Sequence, residues 1–230
     1  MEAILVNLVD RIENYWSKRS DDFFDLRIEE LKSDKRQLWQ DEIIANLPDK
    51  EHLKILDVGC GPGFFSVILS SLGHDVIGID LTESMIQKAD EIADILDYDI
   101  DFRVMNAQEL DFDDEEFDVV ISRNLTWTLP DIEKAYKEWY RVLKKDGVLL
   151  NFDADYGKVS LKEEMKSLGE EHSHNMMDSS LVKECDDIKQ ELEISKRRRP
   201  MWDEKFLQEI GFESCKIDCE ISGRVYKNKR

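Results

Sequence analysis

The sequence predicts an α/β fold built on a mostly parallel sheet. Three observations predict it. Short apolar runs at 53–58, 76–79, 100–105, 117–122 and 148–152 alternate with stretches of helical spacing. The first of these runs ends in a glycine-rich turn, Gly59-Cys60-Gly61-Pro62-Gly63, with Asp57 two residues ahead of it. The second ends in another acid, Asp80, about 20 residues later, the spacing at which a carboxylate meets a ribose hydroxyl in nucleoside-binding α/β folds.

The elements follow in order. Residues 1–50 read as a helical cap, in which Ile4, Leu5, Leu8, Val9 and Ile12 recur at helical spacing. Ser20 caps a second helix carrying Phe23, Phe24, Leu26 and Leu31, and Leu47-Pro48 ends the pattern. From 51 to 155 strand and helix alternate: strand 53–58, helix 64–71, strand 76–79, helix 83–96 capped by Thr82, strand 100–105, strand 117–122, helix 131–143 and strand 148–152. Such alternation implies right-handed crossovers between parallel strands. Residues 156–200 are rich in charge and poor in strand formers, and read as a helical insertion on the substrate side. The binding domain resumes over 201–230, with a helix at 202–211 and two closing strands within 213–226.

Composition narrows the possibilities. With 32 basic and 52 acidic side chains the formal net charge is −20. A surface this acidic repels nucleic acid and anionic membrane. The 230 residues suffice for one domain with additions. No apolar run reaches the 18 residues of a membrane span, the N-terminus has no signal-peptide pattern, and four scattered cysteines make no disulfide framework. The expectation is a cytoplasmic protein, monomer or homodimer, with no nucleic-acid or membrane partner. The seven acids within residues 109–118 read as a solvated loop before a buried strand. Lys196 to Arg199 is either an anion patch or a solvated loop balancing carboxylates.

The glycine pattern separates two cofactors. A dinucleotide turn has the spacing G-x-G-x-x-G and brings a pyrophosphate to a helix N-terminus. Here the spacing is G-x-G-x-G, and the Asp57 charge would repel a phosphate. A cationic nucleoside fits better. S-adenosyl-L-methionine carries a sulfonium, an ammonium and a ribose, with no phosphate.

Asp57-Val-Gly-Cys-Gly-Pro-Gly63, Gly78-Ile-Asp80, Ser84-Met85, 117–122 and 135–150 together resemble a class I S-adenosylmethionine-dependent methyltransferase of the small-molecule, ubiquinone/menaquinone-biosynthesis-like group. The resemblance implies a Rossmann-like seven-stranded sheet with an antiparallel last strand, an N-terminal helical lid, and methyl transfer to a small-molecule acceptor. It also implies residue roles. Gly59, Cys60, Gly61 and Gly63 bring backbone to the methionine moiety, with Cys60 a small buried filler and not a nucleophile. Asp57 orients the ammonium, and Asp80 bonds the ribose hydroxyls. Leu81 and Met85 pack on the adenine, and Asn106 with Ala107 face its amine. The usual acid there is replaced by Asn106, whose amide oxygen can still accept. Arg123 and Asn124 line the donor and substrate pocket.

Tyr15 and Arg19 either close over the nucleoside as part of a lid, Arg19 meeting a carboxylate, or pack a helix on the core. The 124–130 run either walls the substrate pocket or is a loop anchored by Trp127. The catalytic group is not fixed by sequence; His172, His174, Tyr156, Asp153 and Asp155 are the candidates for a base. No cluster has metal-ligand spacing. Two other readings stay open, a nicotinamide-dependent dehydrogenase and a non-catalytic binding subunit of the same fold.

Overall fold

The computed structural model describes residues 2–163 and 178–226. Three helices come first: α1 (Glu2–Ser17), α2 (Ser20–Lys32) and α3 (Lys35–Ile44). The alternating region follows as β1 (Lys54–Val58), α4 (Phe64–Ser71), β2 (Asp75–Asp80), α5 (Glu83–Leu96), β3 (Asp101–Val104), β4 (Phe117–Arg123), α6 (Ile132–Val142) and β5 (Leu143–Phe152). Helices α7 (Ser179–Glu191), α8 (Met201–Ile210) and the short α9 (Ile221–Val225) complete the described chain. None of these helices is long and apolar enough to cross a membrane.

The five strands run parallel in the order β3-β2-β1-β4-β5. β1 lies at the centre and is buried on both faces, with Ile55, Leu56 and Val58 fully enclosed. Its residues alternate between the two helical layers, as strand geometry requires. Leu56 and Val58 face a cluster built with α1, α6 and α7, where Leu8, Ile12, Trp139 and Ile188 meet. Ile55 faces the opposite cluster, where Trp39, Ile43, Phe65 and Ile68 from α3 and α4 pack. Asp57 keeps the register of Ile55 and therefore lies on the α4 side, inside a layer that is otherwise apolar. After β3 the chain crosses to the other side of β1, so the strand order reverses between β1 and β4. Ligands of open α/β sheets bind at the carboxyl ends of the strands at this reversal.

The closing strands read from residues 213–226 do not form, and the described sheet has five strands, all parallel, in place of seven with an antiparallel last one. The segment does alternate, with Cys215, Ile217, Cys219 and Ile221 two apart. Two contacts explain the difference. Arg224 binds Glu42 on α3 and Asp218, at 3.0 and 2.8 Å, and holds the chain against α3. Ile221 and Val225, four apart, then share one side of α9; Val225 is buried, whereas Ile217 is left exposed.

The acidic loop ends in an ion cluster rather than in bulk solvent. Asp118 accepts from Lys50 and Lys144 at 2.9 and 2.8 Å and from the Lys54 backbone at 3.0 Å, and so ties β4 to the start of β1. Burial would raise its carboxyl. Lys144, the Lys54 N–H and Lys50 outweigh that and hold it well below the usual carboxylate range. Both ammoniums are half-exposed, so screening trims the gain. Asp118→Ala is expected to cost about 1–2 kcal/mol in urea unfolding at pH 7. Because the folded carboxyl is lowered, that difference should begin to shrink as pH falls below about 4 and be gone only once the carboxyl is protonated in the folded chain, well below the usual carboxylate range.

Candidate active site

The turn after β1 needs backbone that only glycine adopts cheaply. Gly59, Gly61 and Gly63 have φ of 66°, 52° and 79°. At Gly63 a Cβ would also press on the Phe102 ring at 2.9 Å. At Gly61 a Cβ would meet nothing within 4 Å, because the residue borders a cavity. The turn is fixed to β2 by the Cys60 N–H on the Ile79 carbonyl at 2.9 Å and the Gly61 N–H on Asp80 Oδ2 at 3.0 Å. The other Asp80 oxygen accepts from the Thr82 N–H at 2.9 Å, at the start of α5. The backbone thus holds the Asp80 carboxylate at the rim of the cavity.

The cavity encloses about 660 Å³ at the carboxyl ends of β1, β2 and β4, within the size range of small-molecule sites. The glycine turn and Asp57 form one wall, and Leu81 and Met85 another. Asn106 and Ala107 lie on a third, and α1, α2 and Arg123 close the site. The structure therefore gathers all the expected cofactor-binding residues except Gly63 on this one cavity. Gly63 lies behind it as the left-handed N-cap of α4.

Asp57 is the electrostatic feature of the site. Its carboxylate is 2 % exposed and accepts from the Ser66 hydroxyl at 2.6 Å. Burial pushes its carboxyl up to about 7, only partly opposed by Ser66. Asp80 is likewise raised by burial, against the pull of the Thr82 and Gly61 N–H groups. The Cys60 thiol beside them is pushed well up by burial and by these two carboxylates, so it stays neutral. Two carboxylates that cost energy to ionise, facing one cavity, are poised for a cation.

Residues 56–151 match the family model described as a methyltransferase domain. The ubiquinone/menaquinone biosynthesis C-methyltransferase UbiE of Rickettsia prowazekii is 35% identical over 144 residues, 59% of this chain and 57% of that protein. A ubiquinone biosynthesis O-methyltransferase of Pelagibacter ubique is 33% identical over 99 residues, 43% of this chain and 41% of that protein. Over residues 56–151 the chain is similar to the class I S-adenosylmethionine-dependent methyltransferases. It spans about half the length of the curated relatives it matches. A solved Methanococcus maripaludis protein, assigned as an S-adenosyl-L-methionine-dependent methyltransferase, shares the fold. The two align with a TM-score of 0.61 at 18% identity, over 86% of this chain and 85% of that one. S-adenosyl-L-methionine is the cofactor that this family implies, and a buried carboxylate beneath a glycine turn is a chemical fit to its ammonium.

Within this cavity several side chains have other engagements. Asn106 Oδ1 accepts from the Gln108 N–H and side-chain amide at 3.0 and 3.2 Å, so both its lone pairs are used inside the turn. Arg123 points to Glu30 of α2 and stacks on Trp39 and Phe64, at 4.7 and 4.8 Å. Arg19 donates to the Tyr15 hydroxyl at 3.0 Å. Burial and the neighbouring Cys185 raise that hydroxyl, which therefore stays protonated. Both Tyr15 and Arg19 are buried, and Tyr15 packs in the core while also facing the cavity. Trp127 lines the cavity too, close to Trp16 and Tyr156.

Of the candidate bases, Tyr156 lines the cavity and donates to Asn124 Oδ1 at 3.1 Å. Asp153 is locked by Thr126, the Trp127 and Ala154 N–H groups and Arg199. Asp155 pairs with Lys158 and borders a separate small cleft. His172 and His174 lie outside the described residues. The basic run divides: Arg199 is buried between Asp153 and Asp203, while Lys196 pairs with Glu193. Sequence reading missed Arg27, Glu30, Lys35, Cys185, Lys189 and Tyr226, all of which line the cavity.

A buried carboxyl raised to about 7 costs the folded protein stability wherever it is ionised. Asp57→Asn keeps an acceptor for Ser66 and removes the charge. The variant is expected to be more stable than the parent by on the order of 2–4 kcal/mol at pH 8 in chemical unfolding. The folded carboxyl is raised, so the parent regains stability as pH falls, and the two chains should converge near pH 4.

Proposed function

We propose that the chain is a methyltransferase that transfers the methyl group of S-adenosyl-L-methionine to a small-molecule acceptor. The buried Asp57 carboxylate under the Gly59–Gly63 turn carries the reading, since it suits a ligand with a positive charge and no phosphate. When bound, S-adenosyl-L-methionine supplies an electrophilic methyl group, which the acceptor nucleophile takes by in-line displacement.

The residues of this chain do the remaining work. Asp57 holds the ammonium, and Gly61 leaves room for the methionine chain where a side chain would stand in the cavity. Asp80 receives the ribose hydroxyls at the end of β2, and Leu81 and Met85 flank the adenine. α1 and α2 cover the site, with Tyr15, Trp16 and Arg19 excluding water from the reacting centre. Tyr156, held by Asn124, is the described candidate for moving a proton from the acceptor. The curated relatives include enzymes named for C- and for O-methylation, so the acceptor atom is not chosen by likeness.

Calorimetry tests the assignment. S-adenosylhomocysteine should bind at one site per chain, and NAD should not compete. Asp80→Ala should weaken S-adenosylhomocysteine about 10- to 150-fold with the far-UV spectrum kept, the loss of one to two charge-assisted bonds. Unchanged affinity removes the ribose role, and tight NAD binding removes the methyltransferase reading.

A further inference from the structure

The cavity carries a charge opposite to that of the chain around it. Five cationic side chains line it: Arg19, Arg27, Lys35, Arg123 and Lys189. Three carboxylates oppose them, Glu30, Asp57 and Asp80, giving a formal excess of two positive charges in a protein of net charge −20. The methyl donor does not consume that excess. Its sulfonium and ammonium outnumber its carboxylate, so it arrives with a net positive charge and increases it. Part of that excess is answered from outside the cavity, since Arg19 pairs with Asp22 at 3.2 Å and Lys189 donates to the Val159 carbonyl at 3.3 Å.

One positive charge of that excess sits at a single cluster. Arg27 is buried, the Arg123 side chain is 9% exposed, and both bind the same buried carboxylate, Glu30. Arg27 reaches Glu30 through Nη1, and Arg123 reaches both its oxygens at 3.3 Å. Lys35 sits 3.6 Å from Glu30 but is well exposed, so solvent answers its charge. Arg123 also donates to the Tyr226 hydroxyl at 2.8 Å, while its buried Nε has no hydrogen-bond partner among the described residues. The two guanidiniums oppose each other. Burial, and next the Arg123 charge, push Arg27 down to about 10. Burial pushes Glu30 up, and the two arginines more than reverse it. Two cations on one buried anion leave a single uncompensated charge, in a setting where an unpaired charge is costly.

We infer that the methyl acceptor is a monoanion, an aromatic or apolar carboxylate whose acid group docks on Arg27 and Arg123. The inference rests on the donor reading above. One carboxylate balances the one buried charge left by Glu30, whereas a phosphate dianion would overshoot it. A guanidinium fork matches carboxylate geometry. Phe64 and Phe65 beside the pair, with Phe23 under Arg27, offer a ring-lined surface for an apolar body.

Benzoate, with benzyl alcohol as its neutral counterpart, is the probe, titrated into S-adenosylhomocysteine-loaded protein and followed by ligand-observed NMR. The wild-type chain should bind benzoate at least about tenfold more tightly than benzyl alcohol. Arg27→Gln and Arg123→Gln should each weaken benzoate about tenfold while leaving S-adenosylhomocysteine within about twofold. Arg27→Lys keeps the charge and should retain most of the affinity. Glu30→Gln removes the counter-charge and should strengthen benzoate, a gain that mere loss of structure would not produce.

Equal binding of benzoate and benzyl alcohol overturns the inference on wild-type protein alone, and so does benzoate affinity indifferent to the arginine variants. If Arg27→Gln instead weakens S-adenosylhomocysteine but not 5′-methylthioadenosine, which lacks the amino-acid carboxylate, the pair holds the donor and the inference is also overturned. Failure of S-adenosylhomocysteine to bind the wild-type chain overturns the donor reading, and this inference with it.

Discussion

A single carboxylate, only 2% exposed on the central strand, organises this protein. Asp57 occupies the register position of a core residue on the central strand, with Ile55 before it in the same layer and Ser66 as its hydrogen-bonding neighbour. An apolar residue there would be worth more to the fold. The acid is kept at the carboxyl end of β1, under a turn whose left-handed glycines leave the backbone open to the cavity. The strand order reverses beside it, and the turn is pinned to β2 through Asp80 and Ile79. The stability given up at Asp57 is therefore localised at the point where the sheet opens to a ligand, the usual place for strain tied to function.

Charge is zoned around that point. The exterior is strongly acidic, and the acidic loop before β4 is drawn together by Lys54, Arg141 and Lys144. One wall of the cavity is cationic, and α2 and β4 supply its arginines, Arg27 and Arg123. Both guanidiniums lie over rings, Arg123 on Trp39 and Phe64 and Arg27 on Phe23 and Phe64, which lets aromatic faces share the cost of burying them. Carboxylates on one side of a cavity and guanidiniums on another suit a pair of ligands of opposite charge brought close together.

The central part of the chain was legible because its signals are local. A glycine turn after an apolar run, an acid at each of two strand ends and helical spacing between strands all arise from backbone geometry within a few residues. That is why β1, β2, β4 and α4 to α6 lie close to where the sequence places them. The C-terminal segment misled because Cys215, Ile217, Cys219 and Ile221 alternate as a strand does, whereas strand formation also needs a neighbour to pair with. Contact of Arg224 with Glu42 and burial of Val225 on α3 win instead, and both are long-range. The Arg27–Glu30–Arg123 cluster was invisible for a similar reason. Arg27 and Glu30 read as an ordinary salt-bridged pair on a solvated helix, until α2 lies against the sheet and buries them. The only local hint was Arg123 itself, a cation ending a fully apolar strand.

An Asp57 that holds the donor's ammonium shares its proton with solvent near neutrality when the cavity is empty and releases it to solvent when the ammonium binds. Calorimetric titration with S-adenosylhomocysteine at pH 7, in two buffers of different ionisation enthalpy, measures this directly. With a carboxyl near 7, about half a proton should be released per ligand bound. The release should fall to about a tenth of a proton at pH 8 and be gone by pH 9, and it should be absent in Asp57→Asn. Binding with no proton release at pH 7, or the same release in Asp57→Asn, would contradict the role assigned to the buried carboxylate.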